Sequence, residues 1–185
     1  MIAGIVLFLG IHLVPAMPAL RDRMIARFGP NGYKGGFSLV SLAGLILIVV
    51  GYARANPGAQ LFPPLPLAVS LAPFAMIVAF ILFAAANMPT HLRATLKHPM
   101  LTGLMIWSAV HLLANGDARG TLLFGAVLAY AVIDLVSAVR RHAVKTFVPR
   151  VRSDVISVVA GTMVALLVMT FHRVLFGPAV VSFGI

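Results

Sequence analysis

The chain has no cysteine, no glutamate and little charge of either sign. Only 10% of its 185 residues are charged, and aspartate supplies all four acids. Without cysteine there are no disulfides, zinc thiolates or thiol nucleophiles. Without glutamate, a metal site that needs carboxylates has one acid within an apolar run, Asp134. A charge content far below the roughly 25% of ordinary globular proteins, with 61% hydrophobic residues and a mean hydropathy of +1.05, excludes a soluble domain. A cationic segment ahead of the first apolar run is also missing. The cations come after it, so the run reads as a retained membrane span rather than a signal peptide.

What is present is a positive balance, fourteen Lys and Arg for a formal charge of +10. No aromatic-interleaved basic patch accompanies it, so nucleic acid is not the expected partner. Basic loops facing an anionic membrane leaflet account for the excess. Twelve prolines and sixteen glycines suit a polytopic helical protein, in which neighbouring helices re-satisfy freed backbone groups.

Six apolar segments emerge, at about 2–19, 37–53, 67–88, 99–114, 121–139 and 154–171, each near the ~20 residues that a bilayer core requires. Their short connections predict antiparallel neighbours in one compact six-helix bundle, a single all-α domain over 1–185. The loop cations alternate. Arg21, Arg23, Arg27 and Lys34 follow the first segment, and Arg93 and Lys97 the third. Arg140, Arg141, Lys145, Arg150 and Arg152 follow the fifth. Only Arg54, Arg119 and Arg173 fall in the other set. The positive-inside rule then puts the basic loops in the cytoplasm and both termini outside. The proline-rich stretch 56–66 reads as an outer loop. Gly177-Pro178 reads as a stop, and 179–185 as an apolar tail at the outer interface.

The fourth segment belongs to the most distinctive stretch, 97–117, KHPMLTGLMIWSAVHLLANGD. Pro99 is suited to a first helical turn, and Asn115-Gly116-Asp117 closes the run. An ionisable residue inside a span is a site candidate by default, which singles out His111 and, in the first segment, His12. At 1.5 Å per residue, both lie roughly 12–15 Å from the outer side of a ~30 Å core. They are therefore expected to face each other. Two imidazoles in a dry bundle without a nearby carboxylate suit a haem iron with one histidine on each side. The alternative is that each histidine bonds a helix carbonyl. Trp107 and Ser108, at i−4 and i−3 from His111, share its helix face. Trp107 reads as a flank for a planar cofactor or as packing. Ser108 either orients the imidazole or bonds back to its own helix.

His98 points to helix capping, or to a headgroup or substrate at the cytoplasmic rim. Asp134 is expected to pair with Arg140, Arg141, Lys97 or His98. His172 reads as an interface anchor, and His91 and His142 as solvated loop residues. Arg21, Arg23, Arg27, Tyr33 and Lys34 form a polar hairpin that serves topology and lipid headgroups. The same residues could anchor an anionic group such as a haem propionate.

Several of these residues carry a family resemblance. Gly10-Ile11-His12-Leu13 with Leu20-Arg21, Tyr33-Lys34-Gly35 with Phe37-Ser38-Leu39-Val40-Ser41, and Lys97-His98-Pro99-Met100-Leu101 with Trp107 and His111–Asp117 resemble NnrU-family membrane proteins. That family was named from bacterial denitrification gene clusters and is similar to the plant ζ-carotene isomerase, a haem b membrane enzyme. The resemblance implies a multi-pass protein of the bacterial inner membrane that binds haem b, with His12 and His111 as axial ligands. It also implies a lipophilic polyene or a small gas as the molecule met, and either an isomerase-like reaction or a role in nitric oxide metabolism. The isomerase has a cysteine, implicated in a ligand switch, where this chain has Ser108, so haem binding carries over and the reaction does not. Two other readings stand beside it. One is a cofactor-free carrier or assembly factor for denitrification enzymes. The other is a methyltransferase using S-adenosylmethionine, resembled only by His98–Gly103.

Overall fold

Proline and side-chain caps set where most helices begin. Pro18, Pro66 and Pro99 each occupy the first turn of a helix, where a missing N–H leaves no bond unmade. Thr90 caps one further helix by accepting the N–H of Arg93, and Asp117 caps another by accepting that of Gly120. The computed structural model describes residues 1–144 and 146–176. Among these residues there are seven α-helices: α1 (Ile2–Leu13), α2 (Pro18–Arg54), α3 (Pro66–Ala85), α4 (His91–Leu96), α5 (Pro99–Asn115), α6 (Ala118–Arg140) and α7 (Val151–Phe176). A 3₁₀ turn, Val14–Ala16, joins α1 to α2. The described residues contain no strand, only an isolated bridge between Gln60 and Asp117.

The all-helical architecture holds, and every apolar segment is helical. Among the described residues four helices, α2, α3, α6 and α7, are long and apolar enough to cross a membrane. The other two apolar segments are shorter. α1 has 12 residues before its 3₁₀ turn. α5 has 17, a length of about 26 Å.

The surface of the bundle is greasy. Leu39, Leu42, Ile46 and Val49 on α2, and Val155, Val159, Met163 and Leu166 on α7, are exposed. The innermost positions hold small residues, with Ala79, Ala85, Ala131 and Ala165 fully buried. This inversion is how membrane helices pack: lipid solvates the large apolar side chains while small ones let backbones approach. A Cβ on Gly161 of α7 would lie 2.5 Å from Cα of Ile81 on α3. One on Gly44 of α2 would lie 2.7 Å from the backbone nitrogen of Phe8 on α1.

Three expectations about organisation need correction. The residues between the first two segments reverse the chain, since Gly4 lies against Ile48 and Gly44 against Phe8, but they do so as helix rather than as loop. α2 runs from Pro18 to Arg54 and is broken only at Gly29, whose φ of 72° departs from the helix just before Pro30. Arg21, Arg23 and Arg27 thus ride on a helical arm rather than in a loop. Nor are all sequential helices neighbours. α1 pairs with α2, α3 with α5, and α5 with α6, but α7 packs on α3, and α6 touches α1 only lightly. Contacts around α4 accompany the α3–α7 pairing: Asp154 of α7 accepts the His91 N–H at 2.8 Å, and Arg150 N–H donates to Pro89 O at 2.9 Å. His91 is exposed, as expected, but it opens α4 rather than sitting in a loop and is held, with its Nδ1 2.6 Å from the other oxygen of Asp154.

The two ends of the bundle differ in character. At one end the segments following α1, α3 and α6 meet. Ser137 donates to Ala16 O at 3.4 Å, and His91 reaches Asp154. At the other end the irregular segment 55–65 is laced over the α5–α6 turn. Gln60 Nε2 donates to Asn115 O, Leu61 N–H to Gly116 O, and Ala118 N–H to Ala59 O. Arg119, read from the sequence as a loop cation, ties down the end of α2 by donating to Tyr52 O at 3.0 Å and Ala55 O at 2.8 Å. The stop expected at 177–178, the tail 179–185 and Lys145 lie outside the described residues.

Candidate functional site

His12 sits in the last turn of α1, partly buried. Its Nδ1 lies 2.6 Å from Phe8 O. A carbonyl can only accept, so Nδ1 carries the proton and Nε2 holds the lone pair. The ring is flanked by Phe8 at 4.3 Å, Phe37 of α2 at 5.0 Å and Tyr130 of α6 at 6.2 Å. Phe37 also lines a cavity of about 390 Å³ with Pro15, Arg21, Tyr33, Lys34 and Ser38. Arg21 is paired with its neighbour Asp22 at 3.4 Å, in the open.

His111 is built the same way on α5. Its Nδ1 lies 2.8 Å from Trp107 O, so Nε2 is again the lone-pair nitrogen. Trp107 packs on the imidazole at 4.8 Å, and Phe124 of α6 lies 4.9 Å from it. Ser108 does not orient His111. It is fully buried and donates back to Leu104 O at 2.7 Å, one of the two roles that the sequence left open.

The two imidazoles are not brought together. His12 meets α6 at Tyr130 and His111 meets it at Phe124, six residues and about 9 Å of helix apart. The expectation of equal depth measured His111 from the far end of a full-length span. α5 ends at Asn115, where Gly116 takes the left-handed conformation, so His111 lies only four residues from the laced end. The ring beside His111 belongs to His172 of α7, with centroids 6.5 Å apart and planes 29° from parallel. His172 was read as an anchor. What hid this neighbour was the α3–α7 pairing, which no local pattern encodes.

Asp134 pairs with Arg141 at 3.8 Å, one of its expected partners, and not with Lys97 or His98. It also accepts the Tyr130 hydroxyl at 3.2 Å. Tyr130 therefore stands between Asp134 and the His12 ring, a link signalled by the i, i+4 spacing of Tyr130 and Asp134. His98 is the first residue before α5 but its side chain makes no cap. It lies instead in a cavity with Arg93 and Lys97. Among the described residues no cluster of three or more His or Asp side chains could hold a metal.

Residues 1–180 match the family model described as NnrU protein. The chain belongs to the NnrU family. The NnrU match takes in α1 to α7, and so every residue discussed above. No curated protein and no solved structure matches this NnrU chain.

The fit of the NnrU chain to haem can be judged from its donors. A histidine whose Nδ1–H is tied to a backbone carbonyl has its tautomer and ring orientation fixed for metal binding through Nε2. Taken singly, His12 and His111 both meet that condition. As a pair on one iron they do not share an axis in this arrangement, because His12 meets α6 at Tyr130 and His111 meets it at Phe124, about 9 Å apart along that helix.

Proposed function

We propose that this NnrU-family protein is a six-span membrane haem b protein, with both termini outside and its basic loops at the cytoplasmic face. His12 would anchor the iron through Nε2, and His111 would supply the second nitrogen. The observation that carries the reading is the matched tautomer of the two imidazoles, each with Nδ1 spent on an i−4 carbonyl and Nε2 left to coordinate. The cavity beside Phe37 adds support, since Arg21 and Lys34 would hold the propionates there. The two rings meet α6 at different levels, so holding one iron between them would require α1 to shift along α6, whose contact with α1 is light. Bound there, haem b supplies a redox-active iron to whatever reaches it from the bilayer, a small gas such as nitric oxide or a lipophilic polyene.

The protein's own groups then have definite work. Phe8, Phe37 and Trp107 exclude water from the imidazoles. Tyr130, hydrogen-bonded to Asp134, holds a proton close to His12.

The test is the absorption spectrum of detergent-purified protein from haem-replete cells, oxidised and dithionite-reduced. His12→Ala, His111→Ala and His172→Ala are compared with the parent. The expected outcome is a Soret band lost in His12→Ala, shifted to high spin in His111→Ala and unchanged in His172→Ala. A band lost in His172→Ala but kept in His12→Ala would move the site to the α5–α7 end. A colourless parent protein overturns haem binding and leaves a cofactor-free carrier or assembly factor as the leading role.

A further inference from the structure

The cavity at the α4–α5 junction is separate from His12, His111 and His172. It measures about 170 Å³ and is lined by Arg93, Lys97 and His98, the first turn of α5, and Ala86 and Ala143. Two cations and an imidazole line it without a single carboxylate. Among the described residues neither Arg93 nor Lys97 has an acidic partner, while the nearby Asp154 is engaged by His91. Arg93 is held in place, its guanidinium 4.8 Å over the Phe147 ring.

The backbone is bent to make this cavity. Lys97 has a φ of +63°, in the range that side chains rarely occupy. Strain of that kind persists only where the surroundings enforce it. The bend ends α4 and starts α5 within two residues. It turns the N-terminus of α5 toward the cations and buries His98 Nε2 with no hydrogen-bond partner. Pro99 has no N–H, so Met100 and Leu101 bring the unbonded first-turn donors to the lining. A helix start together with basic side chains is a recurrent cradle for phosphate oxygens.

We propose that this cavity binds a phosphate group, with Lys97 and Arg93 supplying charge and His98 Nε2 and the first turn of α5 supplying directed hydrogen bonds. The group belongs either to a soluble phosphate monoester or to the headgroup of an anionic phospholipid. The site stands whether or not haem is bound.

The test uses the full chain in maltoside micelles, a host free of phosphate. Inorganic phosphate, glycerol 3-phosphate and short-chain phosphatidylglycerol are titrated separately, with thermal unfolding as the readout. At least one probe is expected to raise the melting temperature saturably. Lys97→Gly should weaken its apparent Kd at least fivefold, while Lys97→Arg should retain it. Glycine adopts the +63° backbone freely, so that change removes the cation without disturbing the bend. Arg152→Gln, on an exposed basic residue elsewhere, should leave binding unaltered. A response to the soluble anions identifies a soluble ligand, and a response to phosphatidylglycerol alone identifies a lipid. No saturable response to any probe overturns the site. So does an equal loss in Arg152→Gln, which would mean a diffuse basic surface.

Discussion

Gly116 does more than end a helix. Its φ of 72° closes α5, and its carbonyl accepts the N–H of Leu61 at 2.8 Å. A Cβ there would collide with the carbonyl oxygen of Phe62. Gly116→Ala should therefore cost about 1–3 kcal/mol, read as a lower midpoint in thermal unfolding of the detergent-solubilised protein. Because Asn115 Nδ2 donates to His111 O at 2.6 Å, the same variant should also loosen the turn that carries His111. The sequence marks 115–117 as a stop, and a stop it is. That the turn also anchors the loop 55–65 is not legible locally, because its partners lie some fifty residues away. The histidines show the same division. Their identity and apolar setting can be read directly from the sequence, but their depth depends on where α5 ends and on how the helices are arranged around it.

Among elements, α4 is the smallest and has the widest influence. Its six residues are too few to be stable alone, and it persists because Thr90 caps it and Asp154 accepts two contacts from His91. Asp154→Ala should release α4 from α7 and expose the bonds after Arg93 and Lys97. Limited trypsinolysis in detergent, followed by mass spectrometry, should show faster cleavage at both positions, with α1 and α2 unaffected. An unchanged cleavage rate would mean that packing alone holds α4. The helical arm from Pro18 to Phe28 is the matching case at the other side of the chain. Its cations suggest a loop by composition, yet only the glycine and proline at 29 and 30 interrupt the helix. Polar composition identifies exposure to water or headgroups, and it says little about whether the backbone is helical there.

At the scale of the molecule, charge alternation and hydropathy are the patterns that carry furthest. The described basic segments converge on one end of the bundle, as alternation between odd and even loops requires. Reporter fusions at positions 32, 88 and 143 should register the cytoplasmic side, and fusions at 58 and 116 the outer side. A reversed result at 58 and 116 would remove the six-span reading while leaving the helices in place. Helix order was less legible, since the contacts run mainly α2–α1–α6–α5–α3–α7 rather than in sequence. The close approach of Gly161 to Ile81 has a further consequence for biosynthesis. Gly161 follows Ile81 by 80 residues, which at ~5–20 residues per second means roughly 4–16 s of translation. For that interval the Phe80–Ile81 surface of α3 stands without the partner that Gly161 brings, so a helix made later completes the packing of α3.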